Sequence, residues 1–322
     1  MAEWLIEQGI GEHRAVLVEH GAIVAARVDW LELLAPGAVA DAVLVSRTAG
    51  SARGTLYFPS GEEALIDGLP RNASEGATLR VAITRAAIAE AGRCKRAQAR
   101  LTDAAPRPAP SLVEQLAGAR VVRRFRQDGD SWEGLVDEAW DGAVAFAGGA
   151  LTISPTPAMT VIDVDGDLPP RALALAAIRP LAAAIHRFEL AGSIGVDFPT
   201  LADRVDRKAV DDALAEALAD WPHRRTAMNG FGFVQLVSRL ERPSLIHRIA
   251  LDPAGAAARE LLRRAERVDE PGLQLLTAHP DVLAAMRPEW RAELARRTGR
   301  QARWQADPGL APQAGFAQAL RE

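Results

Sequence analysis

The segment from residue 158 to residue 198 constrains the fold more than any other part of this sequence. It opens with an apolar run that ends in acids, Ala158-Met-Thr-Val-Ile-Asp-Val-Asp-Gly166, and this pattern predicts a buried strand. The stretch from Pro169 to Phe188 begins with two prolines and carries Ala, Leu and Ile at helical spacing, which predicts a helix. After a Gly-Ser break, Ile194-Gly-Val-Asp-Phe198 predicts a second short strand.

Three aspartates follow or end these two strands. A crossover of this length makes the strands parallel neighbours with a right-handed connection. Asp163, Asp165 and Asp197 are then expected at the carboxyl edge of one sheet. Clustered carboxylates raise each other's pKa, and a hard divalent cation is the usual remedy. The cluster therefore predicts a Mg²⁺ site suited to phosphodiester chemistry, the alternative being acids that cap a helix or a turn.

Composition and charge limit the class of protein. The 322 residues are 48% hydrophobic and 25% charged, as in a soluble globular protein of two or three domains. The net charge of −4 argues against a broadly cationic coat, so contacts with polyanions must come from local patches. Cys94 is the sole cysteine, which excludes an internal disulfide and a cysteine-built zinc site. With no apolar run of membrane-spanning length and no signal-like start, a cytoplasmic location without membrane contact is expected.

The first hundred residues predict strands. Residues 4–29 form strand-like runs around a His-Gly turn and predict an antiparallel hairpin or meander. From residue 36, four short runs separated by Gly and Ser predict a small barrel, namely residues 42–45, 54–58, 79–83 and 97–101. Tyr57 and Phe58 lie on one of these strands. On an oligonucleotide-binding barrel such aromatics stack bases, whereas the alternative is that at least one belongs to the core.

Two basic runs are candidates for a phosphate track. The first contains Arg93, Lys95, Arg96 and Arg100, and a solvated edge strand is the alternative interpretation. The second runs from Arg120 to Arg126 and includes Arg123 and Arg124. A proline-rich connector over residues 104–110 separates them.

The remaining segments show alternating helix and strand patterns. A strand is predicted over residues 134–136, an amphipathic helix over residues 204–219 and strands within residues 224–240. Beyond residue 253, helical runs alternate with short strands. His-built zinc motifs, a Gly-x-Ser-x-Gly elbow and a Walker loop are absent from the sequence, and the phenylalanines around Gly232 predict a strand wall. The aspartates are thus the only concentrated chemistry.

The sequence resembles the ribonuclease E/G family of Mg²⁺-dependent endoribonucleases. The stretch from Gly148 through Asp163 to Gly166 is similar to the family segment ending in Thr-x-Ile-Asp-x-Asn-Ser-Gly. Ile194-Gly-Val-Asp-Phe198 is similar to the second ligand segment, Ile-Val-Ile-Asp-Phe. Weaker similarities extend in order over most of the chain, including Tyr57 to Gly61 and Ser238-Arg239.

The resemblance assigns roles to individual residues. It implies that Asp163, Asp197 and Asp165 are the catalytic residues. Asp163 and Asp197 would hold Mg²⁺, with Mn²⁺ as a possible substitute, and Asp165 stands where the family has asparagine. It places Tyr57 at an aromatic position of the barrel and Lys95 near a basic residue. RNA-binding residues are then Tyr57, Phe58, Lys95, Arg96, Arg123 and Arg124.

Several family features differ in this chain. Gly230 replaces an arginine and Thr200 replaces an acid beyond Asp197. The zinc-linking cysteines and most of the segment that binds an RNA 5′ monophosphate are missing. The resemblance therefore implies no zinc, no 5′-end sensing and, if the protein dimerises, a homodimer not linked by zinc.

The implied fold is mixed α/β (α+β). An RNase H-like element over residues 1–35 and 104–140 is interrupted by an OB-type barrel over residues 36–103. A deoxyribonuclease I-like α/β catalytic unit over residues 141–245 and a small C-terminal α/β domain over residues 246–322 follow. The implied activity is cleavage of single-stranded RNA by metal-activated water. The alternatives are an RNA-binding protein that kept this fold without turnover and, less favoured, a Mg²⁺-dependent phosphatase or esterase.

Overall fold

The structure is a computed structural model that describes residues 2–31, 34–90, 93–126 and 130–320, with the backbone alone at residues 89, 90, 93 and 94. The chain begins with an antiparallel meander of three strands, β1 (Glu3–Gln8), β2 (Glu12–Glu19) and β3 (Ala22–Trp30). His20 and Gly21 make the turn between β2 and β3 with φ of 50° and 83°. The predicted meander and its turn are thus confirmed.

A closed five-stranded barrel follows. Its strands are β4 (Val39–Arg47), β5 (Gly54–Tyr57), β6 (Glu63–Ile66), β7 (Thr78–Arg85) and β10 (Ala97–Leu101). The last strand, β10, closes the barrel by pairing parallel to β6 and antiparallel to β7. A hairpin of β8 (Ile88–Glu90) and β9 (Arg93–Lys95) lies between β7 and β10. The sequence pattern predicted this barrel but missed β6.

The chain returns to the first sheet after the barrel. The short helix α1 (Leu112–Gln115) is capped by Ser111, and β11 (Arg120–Val122) then pairs parallel to β1. One four-stranded sheet, in the order β11-β1-β2-β3, is therefore built from the segments on both sides of the barrel. We refer to it as the N-terminal sheet.

The strand predicted over residues 134–136 is wrong, because these residues belong to helix α2 (Trp132–Asp141). Ser131 caps the helix by accepting a hydrogen bond from the Gly134 amide at 3.1 Å. Buried residues recur at helical spacing on one face, and Gly142 ends the helix in the left-handed conformation. Three residues are too few to distinguish the repeat of buried side chains in a helix from that in a strand.

The central sheet contains six strands in the order β12-β13-β14-β15-β17-β16. The strands are β12 (Ala143–Phe146), β13 (Gly149–Pro155), β14 (Thr160–Gly166), β15 (Ser193–Asp197), β16 (His223–Arg225) and β17 (Phe233–Ser238). Two helices belong to this unit, α3 (Pro170–Arg187) between β14 and β15 and α4 (Arg204–Ala217) after β15. Strands β14 and β15 are parallel, as predicted.

Helix α3 is packed between the N-terminal sheet and the central sheet. It contacts β3 on one side and β12, β13 and β14 on the other. Leu173, Ala177 and Leu181 are buried in a core that also contains Val16 of β2 and Ile162 of β14. This layer therefore covers only one face of the central sheet, and on the other face the carboxyl ends of β14 and β15 are exposed, at Asp163, Asp165 and Asp197.

The C-terminal residues form a smaller α/β unit. Its helices are α5 (Leu245–Leu251), α6 (Pro253–Glu266), α7 (Pro280–Ala285) and α8 (Pro288–Thr298), and its strands are β18 (Leu273–Ala278), β19 (Ala302–Ala306) and β20 (Phe316–Leu320). The order is β19-β18-β20, with β19 parallel and β20 antiparallel to β18. The mixed α/β class is thus confirmed. Among the helices in the described ranges, none combines the length and apolar character needed to cross a bilayer.

Candidate functional site

Asp163 and Asp197 are register partners on β14 and β15. Their neighbours Ile162 and Val196 are fully buried against the helical layer, so the aspartates point to the opposite face, where both are exposed. Paired residues on adjacent strands lie about 5 Å apart. Two carboxylates therefore stand side by side on an open sheet face, as the strand ends predicted.

Neither carboxylate is engaged by another residue in the part of the chain that the structure describes. Within the described ranges, Asp163 and Asp197 make no hydrogen bond through their side chains and no salt bridge. Asp165 lies two residues beyond Asp163 on the same face, past the last paired residue of β15. Its Oδ1 accepts a hydrogen bond from the Gly166 amide at 2.9 Å. The structure thus pairs two of the three predicted acids, and the third is hydrogen-bonded to the backbone of the following residue.

The two carboxylates suit a hard cation that takes few of its ligands from the protein. The described part of the chain contains no group of three His, Cys, Asp or Glu side chains positioned to hold a metal ion. Mg²⁺ commonly uses one or two carboxylates and completes its shell with water and phosphate oxygens. The Asp163–Asp197 pair meets that need, and its exposure leaves room for a phosphate ligand.

A row of side chains extends across the sheet from the carboxylates. Thr152 of β13 is the register partner of Asp163, and Phe233 of β17 is the partner of Asp197. The Phe233 ring lies over Gly195, where an added Cβ would come within 2.5 Å of the ring. A hydroxyl thus flanks one side of the carboxylate pair and an aromatic ring flanks the other.

Phe231 is a candidate contact that the sequence pattern missed. Its side chain is 80% exposed at the tip of the turn before β17. Asn229 Oδ1 holds this turn by accepting hydrogen bonds from the Phe231 and Phe233 amides at 2.9 and 3.1 Å. Gly232, at φ 93°, is required there because a Cβ would come within 2.3 Å of the Phe198 carbonyl oxygen. The two phenylalanines do not both form a strand wall, since Phe231 is presented to solvent.

The glycines on both sides of Phe231 were the signal that could have identified it. Gly230 and Gly232 indicate a turn rather than a strand interior. A large apolar residue at the tip of a turn cannot bury its ring in the sheet. Such a residue is a candidate for contact with a ligand or partner.

The barrel separates the two aromatics predicted to stack bases. Tyr57 is 46% exposed, whereas Phe58 is 2% exposed and packs in the barrel core. Phe58 is therefore corrected to a core residue. Glu63, the register partner of Tyr57, forms a 3.2 Å salt bridge with Arg96. Tyr57 and Arg96 consequently share one outer surface of the barrel.

The other predicted basic residues lie elsewhere. Lys95 lines a cavity of about 230 Å³ beside Thr160 and Ser193, the first residues of β14 and β15. It therefore lies at the opposite end of these strands from the aspartates. The side chain of Arg93 lies outside the described part of the chain, and Arg100 is exposed on β10.

Arg123 and Arg124 do not extend the barrel surface. They line a cleft that also contains residues of α6 and α8. Arg124 donates two hydrogen bonds of 3.1 Å to the Asp269 carboxylate and one to the Glu266 carbonyl oxygen. The two basic runs therefore belong to separate surfaces and do not form one track.

Comparison of this sequence with models of protein families and with curated proteins gives no match. The functional argument therefore depends on the residues and their geometry.

Proposed function

We propose that this protein is a Mg²⁺-dependent endoribonuclease that cleaves single-stranded RNA, as a divergent member of the ribonuclease E/G family. The observation that carries the proposal is the register pairing of Asp163 with Asp197 on an exposed face, with neither side chain engaged by another residue of the described ranges. A carboxylate pair open to solvent at the carboxyl end of parallel strands is suited to a phosphate substrate.

The strand order of the barrel supports an oligonucleotide-binding fold. In chain order its first three strands form a meander, its fifth strand pairs parallel to the third, and its fourth strand pairs with the first and fifth. This closed five-stranded arrangement is the kind that presents bases to exposed aromatics. The interruption of the N-terminal sheet by the barrel likewise supports the predicted division into an RNase H-like element, a barrel and a catalytic unit.

In this proposal different residues bind the metal ion and the RNA bases. Asp163 and Asp197 would hold Mg²⁺, and the chemistry that the ion supplies when bound is charge neutralisation on the phosphodiester and activation of a water. The exposed Phe231 and the partly exposed Phe233 supply faces on which unpaired bases stack. A duplex hides its base faces, so these rings favour a single strand.

Cleavage of a labelled single-stranded RNA in Mg²⁺, compared with the same reaction in chelator, tests the proposal. Internal cuts that require Mg²⁺ or Mn²⁺ are expected. Hydrolysis of a small phosphate ester with no cutting of RNA would favour the phosphatase or esterase alternative. An RNA that neither binds nor is cut would contradict both the endoribonuclease and the RNA-binding alternative.

A second candidate function is RNA binding without turnover, which the Gly230 position favours. This glycine stands where the family has arginine, and a Cβ built there meets no atom within 4 Å. Because its φ lies outside the left-handed region, an arginine fits without strain. If the wild type binds RNA without cutting it, Gly230→Arg is the variant with which to look for restored cleavage.

A further inference from the structure

A cleft of about 640 Å³ lies between the N-terminal sheet and the C-terminal unit. Its walls are the ends of β1 and β11 on one side and the last turns of α6 and α8 on the other. Seven arginines line it against three carboxylates. We call it the arginine cleft, and none of its lining residues belongs to the carboxylate site.

Part of this positive charge holds the two units together. Arg124 is bound to Asp269, and Arg297 donates to the Gln8 carbonyl oxygen of β1 at 2.8 Å. Arg263 donates to Glu7 at 2.9 Å and to Glu133 at 2.6 Å. These guanidinium groups serve as structural contacts, so they alone do not indicate a ligand.

Other donor atoms in the cleft make no hydrogen bond to a carboxylate of the described residues. Arg123 is exposed and makes no hydrogen bond or salt bridge with any described residue. Among the described residues, the Arg300 guanidinium donates only to the carbonyl oxygens of Val268 and Asp269, at 3.0 and 3.2 Å. Arg263 Nη2 and Arg267 Nε are buried without a hydrogen-bond partner in the part of the chain that the structure describes, although both guanidinium groups pair with carboxylates through their other nitrogens. A buried N–H without an acceptor is costly, and an anion in the cleft would supply acceptors.

The crowding of like charges agrees with this deficit. Burial, followed by the neighbouring guanidinium of Arg263, lowers the pKa of Arg267. Glu133 and Glu7 act in the opposite direction without reversing it. The cationic form of Arg267 is thus incompletely compensated, and a bound anion would stabilise it.

We propose that the arginine cleft is a second anion site, which binds phosphate groups separately from the carboxylate pair. Guanidinium groups bind phosphate through paired N–H donors in a fixed plane, and Arg123 brings such a pair to the cleft, while Arg300 adds the N–H groups that it does not give to the two carbonyl oxygens. The phosphates come either from an RNA strand or from a free nucleotide or pyrophosphate. This proposal does not depend on the endoribonuclease activity.

Binding measured in chelator tests the proposal, because chelator removes Mg²⁺-mediated binding at the aspartates. Three probes are titrated by calorimetry or fluorescence anisotropy: pyrophosphate, ADP and a labelled single-stranded RNA. Arg123→Ala is the main variant, since its exposed side chain makes no hydrogen bond or salt bridge with the described residues whose loss would unfold the protein. Arg300→Lys keeps the charge and removes the planar donors. Arg53→Ala, an arginine of the barrel whose side chain is 74% exposed, is the control.

We expect at least one probe to bind, and Arg123→Ala and Arg300→Lys to weaken it about threefold to tenfold while Arg53→Ala has little effect. The salt dependence of RNA binding should fall by about one unit in Arg123→Ala. Binding of pyrophosphate or ADP would identify free phosphates as ligands, and binding of RNA alone would identify the strand. If no probe binds, or if both cleft variants bind like the wild type, the proposal is wrong.

Discussion

Asp163 and Asp197 are direct partners in the register of two parallel strands, so their carboxylates share one exposed face of the central sheet. Parallel pairing places like charges side by side without a cation from the described residues between them. This arrangement makes stability and activity respond in different ways to the same substitution.

Asp163→Asn and Asp197→Asn are each expected to abolish Mg²⁺-dependent RNA cleavage without lowering the melting temperature. The amide is a poor ligand for Mg²⁺, and removing one of two neighbouring like charges does not destabilise the fold. Cleavage assays and thermal unfolding measure the two effects. Asp137→Asn, at an exposed acid on α2, is the control. Full cleavage by both site variants would exclude the aspartates as ligands.

Phe231→Ala is expected to weaken binding of single-stranded RNA by about 1–3 kcal/mol, because stacking of a base on the exposed ring is lost. The melting temperature should hardly change, since the side chain is 80% exposed. Val205→Ala is a matched control, at an apolar side chain 78% exposed on α4. Equal loss of affinity in both variants would show that the effect is not specific to the turn.

Tyr57→Ala and Phe58→Ala are expected to have opposite consequences. Tyr57→Ala should weaken RNA binding by about 1–3 kcal/mol with little loss of stability, because the ring lies on the outer barrel surface. Phe58→Ala should lower the free energy of unfolding by about 3–5 kcal/mol, because it leaves a cavity in the barrel core. Denaturant titration and anisotropy separate the two. A stable Phe58→Ala protein that has lost RNA affinity would reverse the assignment.

Arg259→Ala is expected to lower the free energy of unfolding by about 2–4 kcal/mol. The guanidinium lies 3.8 Å from the Trp30 ring centroid and 4.6 Å from that of Trp290. Because Trp30 belongs to β3 and Trp290 to α8, this contact joins the N-terminal sheet to α8. Burial lowers the pKa of Arg259 to about 10, so the group is still charged at neutral pH. Arg259→Lys should recover only part of the loss, because the planar stacking is missing. Unchanged denaturant midpoints would show that the two rings pack equally well without the cation.

Glu7 is expected to make stability depend on acid pH. Burial raises the pKa of its carboxyl, but Arg14 and Arg263 outweigh that effect and hold the pKa below its ordinary value of 4.5. A lowered pKa in the folded state stabilises the protein above pH 4.5, and this contribution is lost as the pH falls through the folded-state pKa. The free energy of unfolding of the wild type should therefore decrease on acidification below about pH 5.

Glu7→Gln should remove that part of the pH dependence and lower stability at neutral pH by about 3–5 kcal/mol, because Arg14 and Arg263 then lose a buried partner. Denaturant titrations between pH 3 and pH 7 provide the comparison. Glu3→Gln, at an exposed salt bridge with Arg120, should change stability little. A variant with the same acid sensitivity as the wild type would assign the effect to other carboxyl groups.

The sequence by itself determined the strand-helix-strand unit from β14 to β15 and the position of the aspartates. The apolar runs that end in acids at β14 and β15 and the proline-led helical run between them are local signals, and the handedness of the crossover follows from backbone geometry. The parallel pairing and the common edge for Asp163 and Asp197 could therefore be predicted before any contact was known.

Only the tertiary structure decided which side chains are available. Tyr57 and Phe58 are adjacent aromatics in the sequence, and the closure of the barrel buries one and exposes the other. Arg123 and Arg300 are far apart in the chain, and they meet in one cleft because the C-terminal unit packs against the N-terminal sheet. Burial and charge compensation depend on residues distant in sequence, so no local pattern carries this information.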